Sequence, residues 1–202
     1  MNKELENRIL QISYENKLSH IGSCLTALPI IEEIYRIKKP EEKFVLSAGH
    51  AHLAHAVVME KYGIGKAEDL IVAGIHCDRE NKCDVSTGSL GQGIAIACGL
   101  ALADRSKNVY CLLSDGECME GLVWESLRIA SEQQLNNLIV YVNSNGLSAY
   151  GEIDQDLLER RLKEFFPVRF IRTNSDLGDI KGLASHYVVL NQEQYERTIG
   201  DK

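Results

Sequence analysis

The sequence predicts an α/β fold: a mostly parallel sheet of about five strands with helices on both faces. Three observations predict it. From residue 108 onward, short apolar runs of strand length alternate with segments of helical periodicity. Those runs are continuous rather than alternating in polarity, as in strands covered on both faces. Asp-Gly and Asn-Gly pairs stand where two of them stop, the place where open α/β sheets bind ligands.

Taken in order, Leu5, Ile9 and Ile12 fall at i, i+4, i+7 and predict an opening helix, and Leu28, Ile31 and Ile34-Tyr35 predict a second. Phe44-Val45-Leu46-Ser47 reads as a short buried strand ending before Gly49-His50, and Ile94 to Ala103 as an apolar helix. A strand at Val109 to Leu113, a helix at Leu122 to Gln133 and a strand at Leu138 to Val142 form a strand-helix-strand unit. Asp156 to Phe166 reads as a helix, Val168 to Ile171 as a strand, and His186 to Leu190 as a last strand. Only three prolines occur, with no low-complexity segment or long repeat, so residues 1–202 are expected to form one domain. The polar tail 191–202 is expected to be flexible or to contact a partner.

Composition narrows the function classes. With 202 residues the chain can bury roughly 70% of its unfolded surface, so neither disulfides nor a structural metal are required. Lys+Arg 22 against Asp+Glu 29 gives a net charge of -7, which argues against a nucleic-acid or anionic-membrane binder. The longest apolar run, Ile94 to Ala103, is about half of the ~20 residues of a membrane span, and no signal-peptide core follows Met1; a cytoplasmic location is expected. The six cysteines show no C-x-x-C spacing, which argues against a disulfide framework. His76-Cys77 followed by Cys83 lacks a second ligand pair, so no zinc centre is expected, and His52, His55 and His186 read as structural.

The chemistry concentrates in two strand ends. Leu113-Ser114-Asp115-Gly116-Glu117 places a carboxylate where a buried strand stops, and thirty residues on the next strand ends in Asn143-Ser144-Asn145-Gly146-Leu147. If the two strands are adjacent and parallel, Asp115 and Asn145 project into one crevice. A carboxylate, an amide oxygen and a nearby carbonyl such as that of Leu147 make an all-oxygen set suited to Mg²⁺ or Ca²⁺. The competing reading is that these are turn residues only. The segment Ser86-Thr87-Gly88-Ser89-Leu90-Gly91-Gln92-Gly93 enters the apolar helix and offers backbone amides to an anion. Its G-x-x-G-x-G spacing is not the dinucleotide fingerprint.

Together these segments resemble the N-terminal part of transketolases. Ser114-Asp115-Gly116 with Asn145 is similar to the thiamine-diphosphate motif, a G-D-G opening closed by an N. Ser19-His20-Ile21-Gly22-Ser23 resembles the S-G-H-x-G segment, Ser47-Ala48-Gly49-His50-Ala51 the K-G-H segment, and Thr87 to Gly93 the T-G-[SP]-L-G-Q-G segment. The similarity covers most of residues 5–151. It implies a diphosphate-binding module of the thiamine-diphosphate-binding fold, with thiamine diphosphate and Mg²⁺ as cofactors. Asp115 and Asn145 would bind the metal by side chain and Leu147 by its carbonyl. His50, Ser114, Gly116 and Asn145 would face the diphosphate, with Gly88 and Leu90 against the cofactor. His20 and His76 would sit at the mouth of the site, holding sugar hydroxyls and moving protons, although Cys77 stands where the family commonly has proline. Glu120 and Glu125 would belong to the acidic network near the subunit interface.

The reaction implied is transfer of a two-carbon ketol unit from a ketose phosphate to an aldose acceptor. In transketolases an essential glutamate comes from a pyrimidine-binding domain that this sequence does not contain. One half of a split enzyme is therefore expected, self-associating and inactive without a pyrimidine-binding partner subunit. Alternatives are another thiamine-diphosphate enzyme half, deoxyxylulose-phosphate-synthase-like, or a non-catalytic scaffold. Two departures from the family pattern bear on this: Ser114 replaces the first glycine, and only about 57 residues follow Asn145, without a K-G-x-G match.

Overall fold

The apolar spacing of the first hundred residues becomes a helical layer. Helix α1 (Lys3–Glu15) buries Leu5, Ile9 and Ile12, and α2 (Ile21–Ile37) buries Leu28, Ile31 and Ile34, so both expected helices form on the predicted faces. The computed structural model describes residues 2–71 and 76–200. Strand β1 (Lys43–Leu46) leads through the tight turn Gly49–Ala51 into α3 (His52–Lys61), followed by the short α4 (Ala67–Leu70) and by α5 (Gln92–Ala103). The alternating half comprises β2 (Val109–Ser114), the turn Gly116–Met119, α6 (Gly121–Glu132) and β3 (Leu138–Ser144). Then follow the hairpin β4 (Leu147–Ser148) and β5 (Gly151–Glu152), then α7 (Gln155–Phe165), β6 (Val168–Arg172), α8 (Leu183–Tyr187) and α9 (Gln192–Gly200).

The main sheet is parallel with order β1-β2-β3-β6, and Ser114 lies opposite Asn143 in the β2–β3 register. Period-two alternation sends β1 residues to opposite faces. Phe44 and Leu46 join α1, α2 and α3 in one apolar layer, whereas Val45 joins α5, α6 and α7 in the other. Helices thus cover both faces, as expected.

The sheet has four strands among the described residues rather than five. His186 to Leu190 does not form the last strand: His186 ends up in α8, whose contacts are with α2. The β-like composition is overridden by local packing. The His20 amide donates to the His186 carbonyl at 2.7 Å, and Leu190 is buried with Leu10 and Ile21 under the N-terminal helices. Within the tail, Gln192–Gly200 form α9, and the last two residues lie outside the described residues. Helix α9 packs on α1, with Tyr195 stacked on Tyr14 at 4.4 Å between ring centroids. No helix among the described residues is long and apolar enough to cross a membrane.

Candidate active site

Because β2 and β3 are adjacent and parallel, their carboxyl ends deliver Asp115 and Asn145 side by side. Asp115 is 2% exposed, and each of its oxygens is held. Oδ1 accepts from the Gly116 amide at 3.0 Å, and Oδ2 accepts from Ser144 Oγ at 2.9 Å and the Gly146 amide at 2.7 Å. Burial raises the carboxyl above its ordinary pKa, and these hydrogen bonds pull against that shift. Asn145 Oδ1 accepts from the Leu147 amide at 2.9 Å, closing a turn that brings the Leu147 carbonyl beside Gly116. The expected oxygen donors therefore converge, and the residues that close these turns are the same as the candidate ligand set.

Ser114 introduces no backbone conflict. It is a strand residue outside the positive-φ set, and its Oγ accepts from the Glu117 amide at 3.3 Å. Glu117, to which the sequence motifs assign no role, is fully buried. It accepts from Ser47 Oγ and the Gly91 amide through Oε1, and from the Ser114 amide through Oε2. One carboxylate thus ties the end of β1, the glycine-rich loop and the end of β2 together. Burial raises its pKa. Its only signal in the sequence is a second acidic residue two positions after Asp115, at the end of a buried strand.

The histidines meet across the sheet end. His20 caps α2 in the left-handed conformation (φ 67), with its Nδ1 2.7 Å from Ser19 Oγ. Its ring centroid is 5.5 Å from that of His50 and 4.5 Å from that of His186, while His50 and His186 are 5.1 Å apart. Burial first, then the neighbouring imidazoles, lowers His50 to about 3 and His186 to about 4, and lowers His20 in the same direction. All three are neutral at pH 7. His186, structural by its sequence context, is thus a site residue, anchored by Ser23 Oγ at 2.6 Å from its Nδ1. Only the fold, through α8, identifies it.

His76 packs against the glycine-rich loop: a Cβ on Gly88, whose φ is +155, would lie 3.0 Å from the His76 ring. Apart from Glu120 and Glu125, every candidate residue lines one cleft of about 260 Å³. These are His20, His50, His76, Gly88, Leu90, Ser114, Asp115, Gly116, Asn145 and Leu147. Glu120 is half-buried at the start of α6, where it accepts from Tyr150 Oη at 3.2 Å. Glu125 is exposed and pairs with Arg128.

The residues fit a diphosphate carried on a divalent cation. The donor set is hard oxygen, and among the described residues Asp115 Oδ1 and Asn145 Oδ1 each accept one backbone hydrogen bond, leaving a lone pair for a metal. A Cβ on Gly116 would stand in van der Waals contact with the Leu147 carbonyl and Ser148, at 3.7 Å, on the same cleft.

Comparison with known proteins identifies the family and the fold. Residues 16–183 match the family described as transketolase, thiamine diphosphate binding domain. Similar proteins include transketolase-like protein 2 of Bos taurus (36% identical, covering 74% of this chain and 28% of that protein) and human transketolase (33% identical, covering 81% and 31%). One subunit of the apulose-4-phosphate transketolase of Phocaeicola vulgatus is 29% identical, with 73% of this chain and 60% of that protein covered. The chain thus spans about a third of the length of the full-length relatives. The transketolase structure from Campylobacter jejuni superposes with a TM-score of 0.76 at 22% identity, over 99% of this chain and 43% of that one, which establishes the fold. With a family match across most of its length and a fold shared with solved transketolases, the chain belongs to the transketolase family, through its thiamine-diphosphate-binding domain.

Proposed function

We propose that this chain is the diphosphate- and Mg²⁺-binding half of a two-chain transketolase. It would transfer a two-carbon ketol unit from a ketose phosphate to an aldose acceptor, in the cytoplasm, through self-association and pairing with a pyrimidine-binding partner subunit. The observation that carries this reading is the convergence of Asp115, Asn145 and Leu147 with three neutral histidines on one cleft beyond the carboxyl ends of the sheet. The Phocaeicola vulgatus relative, of which this chain covers 60%, is itself one subunit of a transketolase and supports the two-chain arrangement.

In this reading Asp115 and Asn145 hold Mg²⁺ by side chain and Leu147 by its carbonyl, while Ser114, Gly116 and His50 face the diphosphate. Thiamine diphosphate, when bound, supplies the centre that stabilises the carbanion of ketol transfer. The chain supplies position and protons. The anchored strand ends fix the depth of the diphosphate, and Gly88 and Leu90 form the wall against the rings. His20, with Nδ1 engaged by Ser19, has Nε2 available to a sugar hydroxyl, and His76 lines the same cleft beside Gly88. Neutral imidazoles donate and accept one proton each, as exchange with substrate hydroxyls requires. Glu120 lies where Leu90, Met119 and Leu122 are exposed, and we assign it to the acidic network at the partner-facing rim.

Co-purification with a candidate pyrimidine-binding chain tests the reading. The pair should catalyse ketol transfer, neither chain alone should, and thiamine diphosphate with Mg²⁺ should raise the melting temperature of the pair. Asp115→Ala should abolish both effects with an unchanged circular dichroism spectrum. Full activity and cofactor stabilisation in Asp115→Ala would overturn the metal assignment.

A further inference from the structure

Along the sequence, Cys77 and Cys83 lack the second pair of ligands that a zinc centre needs. The fold supplies one. His52 and His55 are three residues apart on α3, so they share a helix face, and that face lies against the segment carrying both cysteines. All four side chains are buried, and their ligand atoms lie within 4.8 Å of one another.

The arrangement is more specific than a cluster. Cys77 Sγ lies 3.4 Å from His52 Nδ1 and 3.6 Å from His55 Nδ1, and Cys83 Sγ lies 3.8 Å and 3.7 Å from the same two nitrogens. A tetrahedral zinc with Zn–S near about 2.3 Å and Zn–N near about 2.05 Å requires S···N edges of about 3.6 Å. All four observed edges fall around that value. The outer nitrogens are also engaged: His52 Nε2 is 2.9 Å from the Leu70 carbonyl and His55 Nε2 is 2.6 Å from Tyr35 Oη. A carbonyl only accepts, so His52 Nε2 carries the proton and its Nδ1 turns a lone pair toward the sulfurs. Such outer partners orient histidine ligands in metal sites. Two thiolates and Zn²⁺ sum to zero charge, so the closed site can be buried without an unpaired ion.

We propose that His52, His55, Cys77 and Cys83 bind one structural zinc ion, through both Nδ1 atoms and both thiolates. The two cysteines release their protons to solvent as the metal enters, and no electron is transferred. The ion fastens the stretch from Cys77 to Cys83 onto α3. That stretch is continuous with His76 on one side and, on the other, with Asp84, whose carboxylate accepts from the Phe44 amide at 2.9 Å on β1. The zinc therefore sets where the glycine-rich loop begins, and the proposal stands whether or not the chain is half of a transketolase.

Untagged protein, purified from zinc-supplemented medium under reducing conditions and dialysed, should retain close to one zinc per chain by plasma mass spectrometry. Replacement by Co²⁺ should give the intense visible bands of a tetrahedral site with two sulfurs. The double variant Cys77→Ser/Cys83→Ser should hold less than about a tenth of the zinc and melt at least about 5 °C lower, whereas Cys98→Ser, a buried thiol on α5, should keep its zinc. If the double variant does not fold, the wild-type metal content and cobalt spectrum still decide. Wild-type protein with negligible zinc and no cobalt bands would overturn the proposal. So would a Cys77–Cys83 disulfide in peptide maps of that reduced preparation, or equal zinc loss in Cys98→Ser.

Discussion

Ser47 Oγ donates to Glu117 Oε1 at 2.7 Å, joining the end of β1 to the turn after β2 between two fully buried side chains. With the Gly91 and Ser114 amides on the same carboxylate, three donors depend on one side chain. Glu117→Ala leaves them unsatisfied, and each buried orphan costs about 1–3 kcal/mol. A loss of at least about 3 kcal/mol is expected in urea unfolding. Glu117→Gln retains one oxygen but turns an NH₂ toward the Ser114 amide, so it should lose less, about 1–2 kcal/mol.

Two glycines on α5 should respond in opposite directions. A Cβ on Gly93 would sit 2.6 Å from Ser47 Cα, so Gly93→Ala must push α5 off β1 and should cost about 1–3 kcal/mol. Gly99 is exposed, with nothing within 4 Å of its Cβ position, and Gly99→Ala should gain about 0.5–1 kcal/mol. Melting curves of the two variants check both signs.

Ser114→Gly restores the family's usual residue and should bring no benefit. Ser114 has ordinary strand geometry, so glycine relieves nothing there and loosens the strand by about 0.5–1 kcal/mol. The concentration of thiamine diphosphate giving half-maximal stabilisation of the assembled pair should stay within about threefold.

Acid should weaken the fold through its buried histidines. Unfolded imidazoles take up a proton near about 6.5. In the fold His50 is lowered to about 3 and His186 to about 4, so the unfolded state binds more protons throughout that window. Stability is then full above about pH 6.5 and falls as pH drops toward about 3, with His50 contributing a slope of up to about 1.4 kcal/mol per pH unit. Asp115 and Glu117 act in the opposite sense: their raised values favour proton uptake by the folded form above the ordinary carboxylate range, and they offset part of the loss as pH falls through those raised values toward about 4. Urea midpoints between about pH 7.5 and 4.5 should decline for the wild type and less steeply for His50→Asn. Parallel profiles would sink this account.

What the sequence made legible followed from local pattern. The continuous runs of β2 and β3 and the helix between them set the parallel pair, and that pair set Asp115 beside Asn145. The motif resemblance then supplied His20, His50, His76 and Gly88, which the fold gathers on one cleft. What stayed hidden depended on contacts between distant segments. His186 sits in a stretch whose composition favours a strand, and only its packing on α2 makes it the fourth histidine of the cleft. His52 and His55 look like ordinary helix residues until Cys77 and Cys83 arrive beside them. The spacing H-x-x-H followed by C-x₅-C is present in the sequence, but it differs from the closely paired cysteines by which zinc sites announce themselves.

The left-handed backbone at His20 bears on how the protein matures. A residue with a side chain pays about 1–2 kcal/mol for that conformation, and here the hydrogen bond from its amide to the His186 carbonyl helps hold it. During synthesis the N-terminal histidine therefore emerges without the contact that aims it. That contact forms only once α8 has reached the start of α2.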